Sequence, residues 1–222
     1  MKTIKKSTEK SLINQFILNF ERDALKKKNK NKRFSFVLTG GKSPINLYKK
    51  LSKSQVDWKN IDLFWGDERY VSQKNKNSNY KLAYDNLIKK IKINNNSIFR
   101  INTNNKVISN SSRIYSNKIK KYFMNKVISF DYFLLGMGED GHIASIFPNS
   151  KEIKKKFIVK SVLKKDFVRI TLSLNVINNS KKIILWLNNK FKTKKYKQLK
   201  LLGKKIPVNN LDKRKTFIFR IS

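Results

Sequence analysis

Five short apolar runs punctuate the chain: Phe34–Leu38, Ile61–Trp65, Tyr132–Leu135, Val168–Leu174 and Ile183–Leu187. Most are nearly continuous rather than alternating. A strand with one wet face alternates; one covered on both faces of a parallel sheet does not, so these runs predict buried parallel strands. Ser97–Ile101 and Phe217–Ile221 are weaker strand candidates. Between the runs the period changes. Leu12, Ile13, Phe16, Ile17 and Phe20 recur at helical spacing, with Asn14, Gln15 and Asn19 among them, and predict an amphipathic helix. The polar stretch Lys26–Arg33 is its end and the following loop, with lysines at the negative pole of the helix dipole. Pro44 is a good first helical residue. Ser78 predicts the cap of a helix that buries Leu82, Leu87, Ile88 and Ile91. A third helix is expected from about Val107 to Met124, and a last one from about Thr193 to Leu202, stopped by Gly203. This alternation predicts one α/β domain spanning residues 1–222, with a mostly parallel, wound sheet and helices on both faces. There is no internal repeat and no Gly-, Pro- or Ser-rich linker.

Charge changes the picture first. Lys and Arg total 52 against 14 Asp and Glu, a net +38. Such an excess first suggests nucleic acid or an anionic membrane. The lysines, however, occur in nearly every segment, mixed with asparagines and without an arginine-rich or RNP-type motif. That distribution reads as compositional drift combined with an anionic small-molecule substrate. No specific nucleic-acid partner is expected, only weak nonspecific binding to polyanions. The chain has no cysteine, which excludes disulfides, thiolate metal sites and cysteine nucleophiles. No apolar run approaches the ~20 residues of a membrane span. The basic N-terminus leads into an amphipathic helix, not a signal peptide. A cytoplasmic protein with no membrane partner is expected.

In wound α/β sheets, ligands bind beyond the carboxyl ends of the strands. Three loops follow predicted strands there. The first, Thr39-Gly40-Gly41-Lys42-Ser43-Pro44, can turn backbone N–H groups, a charge and a hydroxyl toward an anion, backed by a helix start. The second, Gly66–Asn77, opens with Asp67, Glu68 and Arg69. Arg69 is placed to grip phosphate as a bidentate donor, and Asp67 or Glu68 to orient it or a catalytic group. The third, Gly136–His142, sets three glycines around Glu139, Asp140 and the only histidine in the chain. A histidine beside carboxylates in a glycine-rich loop is the natural general base near neutral pH. A Gly-x-Ser-x-Gly elbow is missing, and one histidine makes a zinc site improbable. What remains is histidine-assisted attack of water on an anionic substrate.

These blocks, in this order, resemble the 6-phosphogluconolactonase family. The matching segments are Gly40–Pro44, Trp65–Arg69, Ser78–Tyr80, Leu135–Pro148 and Arg169–Leu174, with a weaker echo at Pro207. Gly136–Pro148 is the most specific of them. The resemblance implies a Rossmann-like fold shared with glucosamine-6-phosphate deaminases and ribose-5-phosphate isomerases. It implies hydrolysis of 6-phospho-D-glucono-1,5-lactone to 6-phospho-D-gluconate in the oxidative pentose phosphate pathway, without cofactor or metal. His142 becomes the expected base, helped by Glu139 or Asp140. Arg69 and Lys192 become phosphate ligands beside Gly40, Gly41, Lys42 and Ser43. The chain departs from the family pattern at Lys42-Ser43, at Ile143, at Asn188–Phe191 before Lys192, and in a Thr216–Ser222 ending that is neither acidic nor alanine-rich.

Two alternatives follow. Glucosamine-6-phosphate deaminases carry a related block in which a glutamate before proline joins ring opening; here that position is Phe147, which cannot shuttle protons. The net charge also admits a catalytically degenerate polyanion-binding protein, against which the Glu139-Asp140 pair beside His142 speaks.

Overall fold

The apolar runs form strands buried along nearly their whole length. The computed structural model describes residues 1–164 and 166–222. Its strands are β1 (Lys2–Lys6), β2 (Phe34–Leu38), β3 (Ile61–Trp65), β4 (Asp67–Arg69), β5 (Ile98–Phe99), β6 (Tyr132–Leu135), β7 (Val159–Leu163), β8 (Val168–Leu172), β9 (Lys182–Leu187) and β10 (Thr216–Ile221). The α-helices are α1 (Glu9–Lys28), α2 (Ile45–Leu51), α3 (Asn79–Asn86), α4 (Ile108–Tyr122), α5 (Leu174–Asn179) and α6 (Lys190–Lys200). Seven strands pair in parallel in the order β1-β10-β9-β6-β2-β3-β5.

Helices cover both faces, and the register shows which. Phe36 pairs with Tyr132, so both point to one face; the next residues, Val37 and Phe133, pair on the other. Phe16 and Phe20 of α1 pack on the first face, with Phe20 reaching Phe36 at 4.8 Å and Tyr132 at 5.5 Å between ring centroids. Phe64 shares the second face with Val37 and meets Tyr122 of α4 at 5.0 Å. The α1 helix is fixed at both ends. Thr8 caps it by accepting from the Ser11 N–H, and Lys26, Lys27 and Lys28 lie in its last turn.

Several expected elements shift. Val168–Leu174 was expected as a strand of the parallel sheet. Instead, β8 stops at Leu172, Ser173 caps α5, and β8 pairs antiparallel with β4 and β7 in a separate three-stranded sheet. Ser97–Ile101 contributes only the two residues of β5. Pro44 caps α2 rather than entering it. The last helix starts at Lys190, three residues before the expected Thr193, because Asn189 caps it. Ser78 does cap α3; Leu87 and Ile88 beyond it are buried, while Leu82 and Ile91 are half-buried against the core. Among the described residues no helix is long and apolar enough to cross a membrane.

Phe20 is fully buried among Phe16, Phe34, Phe36, Trp58 and Tyr132. Replacing it with alanine removes that contact and leaves a cavity between α1 and the sheet. Phe20→Ala is expected to cost about 3–5 kcal/mol in urea unfolding; a loss below about 1 kcal/mol would place α1 outside the cooperative core.

Candidate active site

From β2 the chain proceeds through β3 to β5, toward one edge of the sheet; from β6 it proceeds through β9 and β10, toward the other. The order therefore reverses between β2 and β6. A crevice forms at such a boundary because the connections leave in opposite directions. The loops after β2 and β6 meet there, joined by the Gly136 N–H donating to Thr39 Oγ1 at 3.3 Å. Together with residues after β3 and β9 they enclose an open cleft of about 570 Å³. Gly40, Gly41, Lys42, Ser43, Arg69, His142 and Lys192 all line it. Glu139 and Asp140 do not.

The first loop approaches its neighbours too closely for side chains. A Cβ on Gly40 would sit 1.7 Å from Asn79 Oδ1. Gly41 turns the backbone with φ +79, in the left-handed region. Among the described residues, the N–H groups of Gly41, Lys42 and Ser43 have no protein acceptor. They are available to an anion.

The second loop is organised by Glu68. Its carboxylate accepts from the N–H groups of Arg69, Asn79 and Tyr80 and from Ser78 Oγ. It thus satisfies the free donors at the start of α3. Burial pushes the Glu68 carboxyl up to about 7, while the three backbone donors pull the other way. Glu68 holds the backbone of Arg69, not its guanidinium; Arg69 Nη1 donates to the Asn77 carbonyl at 2.8 Å. Asp67 accepts from Ser145 Oγ at 2.6 Å and from Asn79 Nδ2 at 3.2 Å. Ser145 N–H also donates to Thr171 Oγ1 of β8. The small antiparallel sheet thereby fastens the third loop to the second.

In the third loop, Asp140 and His142 form the central contact. Asp140 Oδ1 lies 2.6 Å from His142 Nδ1 and also accepts the His142 backbone N–H at 3.0 Å. Burial raises the Asp140 carboxyl, but its bonds to His142 outweigh this and hold it below the usual carboxylate range. Glu139 is exposed, makes no bond to the imidazole, and acts on Lys192 through its charge. Of the two carboxylates left open by the sequence, Asp140 is the one in contact. Gly138 makes room for the ring: a Cβ there would fall 2.2 Å from His142 Cε1 and Nδ1. Phe147 packs against the ring as well, its centroid 4.8 Å from that of the imidazole. Ile143, in place of the family's frequent threonine, is fully buried in the core.

Lys192 reaches the cleft despite the altered residues before it. Asn189 Oδ1 accepts the Lys192 N–H at 2.8 Å, starting α6, and Lys192 Nζ donates to the Met137 carbonyl at 3.0 Å. Burial holds its ammonium below the ordinary lysine value, opposed by Glu139. Among the cleft residues that the sequence did not mark as ligands are Asn79 and Arg169. Arg169 was visible only as the first residue of a matching block, because its neighbours depend on an antiparallel pairing with no local signature. Among the described residues no three His, Asp or Glu side chains cluster to hold a metal.

Known proteins share this fold and part of this sequence. A family model described as glucosamine-6-phosphate isomerases/6-phosphogluconolactonase matches residues 7–218. A 6-phosphogluconolactonase of Synechocystis is 30% identical over 154 residues, covering 68% of this chain and 64% of that protein. The chain thus spans a little under two thirds of that relative's length. The crystal structure of 6-phosphogluconolactonase from Thermotoga maritima superposes with a TM-score of 0.85 at 25% identity, over 99% of each chain. A monomeric glucosamine-6-phosphate deaminase shares the fold at 20% identity and a TM-score of 0.82, over 100% of this chain and 97% of that one. With the family model matching residues 7–218, nearly the whole chain, the chain belongs to the glucosamine-6-phosphate isomerase/6-phosphogluconolactonase family.

Proposed function

We propose that this chain is a carboxylic ester hydrolase that converts 6-phospho-D-glucono-1,5-lactone to 6-phospho-D-gluconate. The observation that carries the reading is the Asp140–His142 pair at the wall of a cleft that also holds Arg69 and Lys192. A base and a cationic anion site within one pocket suit a substrate with a phosphate at one end and a carbonyl at the other. A cytoplasmic setting belongs to the same reading and is supported by the cysteine-free sequence.

The chemistry follows from the contacts. An Nδ1–H donated to Asp140 leaves Nε2 of His142 as the basic nitrogen. With the phosphate held by Arg69, Lys192 and the Gly41–Ser43 N–H groups, the lactone carbonyl is positioned near the imidazole. Nε2 takes a proton from water as the water oxygen attacks the carbonyl carbon. Backbone N–H groups stabilise the resulting oxyanion, worth roughly 3 kcal/mol per donor where measured. Collapse breaks the bond to the ring oxygen, which receives the proton from the imidazolium and becomes the hydroxyl of the product. Asp140 keeps its charge through the cycle and stabilises the imidazolium.

The deaminase alternative shares the fold but lacks a proton carrier at Phe147, an apolar ring packed on His142. The purified chain is expected to open the phospholactone above the spontaneous rate and to release no ammonia from glucosamine 6-phosphate; the reverse pattern would reassign it. Polyanion binding driven by the +38 charge is expected to be weak and to vanish as salt rises.

His142→Asn is expected to keep the fold and to lower the catalysed rate by roughly 10²–10⁴, the usual worth of a positioned general base. Near-full activity above the spontaneous background in the folded variant would shift the base to a carboxylate. Gly138→Ala should mimic this loss with His142 intact, since a methyl group there meets the imidazole at 2.2 Å; unchanged kcat in that variant would show that the ring is not held where its function needs it.

The pH dependence has a definite sign. Asp140 is held below the usual carboxylate range by its bonds to His142, so it keeps its charge as the pH falls toward that range. In Asp140→Asn the negative charge that stabilises the imidazolium is gone. The acid limb of the kcat/KM profile is therefore expected to move to lower pH while the plateau drops. A limb that stays in place would mean that the carboxylate does not act on the titrating base.

A further inference from the structure

Strands β4 and β8 run antiparallel with Arg69 directly opposite Arg169. Opposed residues on antiparallel strands share a face, their Cβ atoms about 4.5–5.5 Å apart, and like charges there are destabilising. Both arginines line the cleft. Arg169 is 7% exposed, its guanidinium lying over the rings of Phe147 at 5.5 Å and Phe167 at 5.9 Å. Neither charge is fully answered. Among the described residues, the guanidinium of Arg69 bonds only the Asn77 carbonyl, through Nη1. Arg169 bonds Asp166 through Nη2. The Nε of each is buried without an acceptor.

Buried donors without partners are rare and costly. Here two of them, on two like charges held side by side, border one cleft. A tetrahedral dianion removes both penalties at once, because its oxygens match the planar Nε/Nη2 fork of each guanidinium. On Arg69 that edge carries no acceptor among the described residues. On Arg169 Asp166 occupies the Nη2 arm, and among the described residues the buried Nε has no acceptor. Asp166 lies in the turn between β7 and β8 with its side chain 53% exposed, so it can be exchanged for a ligand without breaking a packed contact.

We propose that Arg169 is a second phosphate-binding residue, acting with Arg69 as a two-guanidinium clamp, and that Asp166 is an internal counter-ion that gives Arg169 up when phosphate binds. The inference rests on the lactonase reading for the identity of the ligand, a sugar phosphate. It also makes the phosphate the feature by which the site selects its substrate, since an unphosphorylated lactone answers neither guanidinium.

The test is a calorimetric titration of inorganic phosphate, 6-phosphogluconate and gluconate at physiological salt. It compares wild type with Arg69→Gln, Arg169→Gln, the double variant and Asp166→Asn. Arg169→Gln is expected to weaken phosphate and 6-phosphogluconate about 10-fold or more, as loss of a charge-assisted pair does, and to leave gluconate unchanged. The double variant should lose less than the product of the two single losses, because both arginines grip one ion. Asp166→Asn should bind phosphate several-fold tighter. Should Arg169→Gln unfold, Arg169→Lys keeps the charge without the fork and is expected to fall between the two. Wild-type affinity in the Arg169 variants, or weaker binding in Asp166→Asn, overturns the clamp. Lactone hydrolysis by wild type, measured in parallel, separates the two ideas. Hydrolysis with phosphate affinity independent of Arg169 removes the clamp and leaves the lactonase; phosphate binding lost in Arg169→Gln without any wild-type hydrolysis does the opposite.

Discussion

A parallel strand must leave the sheet at its carboxyl edge, and at the boundary between β2 and β6 the departing connections run to opposite sides. Neither connection covers the gap between them. The crevice that results is the constraint on which the rest of the molecule depends, because the loops that carry the chemistry are delivered to it by strand ends. The loop after β2 brings bare N–H groups, the loop after β6 brings His142, and the flanking β3 and β9 lead to Arg69 and Lys192. The short antiparallel sheet then acts as a brace. Through Asp67, Ser145 and Thr171 it ties the β3 and β6 loops together, so the base and the cations keep a fixed separation.

Within the crevice the scarce resource is space. Gly40 lies against Asn79, and Gly138 against His142, at distances no side chain tolerates. Ala144, which also lines the cleft, adopts φ 48, an unfavourable conformation for a residue with a Cβ. Such strain persists only where surrounding contacts over-determine it, and here the neighbouring Ile143, Ser145 and Ile146 are fully buried. The stability of the sheet core therefore sustains an arrangement at its edge that local preference would not select.

Electrostatics divides the basic residues into two populations. Most of the 52 lysines and arginines are surface groups whose fields fade within about 8 Å at physiological salt. Arg69, Arg169 and Lys192 are different because partial or full burial reduces the screening and fixed contacts hold them in place. Net charge thus says little about what the protein binds, while the position of a few cations says a great deal. The same holds for acids. Asp140 and Glu139 are both exposed neighbours in sequence, yet only Asp140 holds the imidazole.

Much was legible in the chain itself. β2, β3 and β6 have the predicted boundaries, since an uninterrupted apolar run has one stable setting, between two layers of helices. The α3 cap at Ser78 was legible for a local reason, a hydroxyl that bonds a backbone N–H three residues on. So were the three loops, which stand at strand ends and concentrate glycine, charge and the lone histidine. By itself, then, the sequence determined the central buried strands, the wound parallel class and the loops that line the cleft, because hydrophobic runs, caps and glycine-rich turns are written in neighbouring positions. Tertiary structure alone decided that Lys192 reaches the Met137 carbonyl at the cleft, that Asp67 ties to Ser145, and that β8 leaves the main sheet to set Arg169 opposite Arg69. Those outcomes join residues brought together by a strand pairing or a loop path. No residue carries a local preference for a partner a hundred positions away until the core has folded and placed it there.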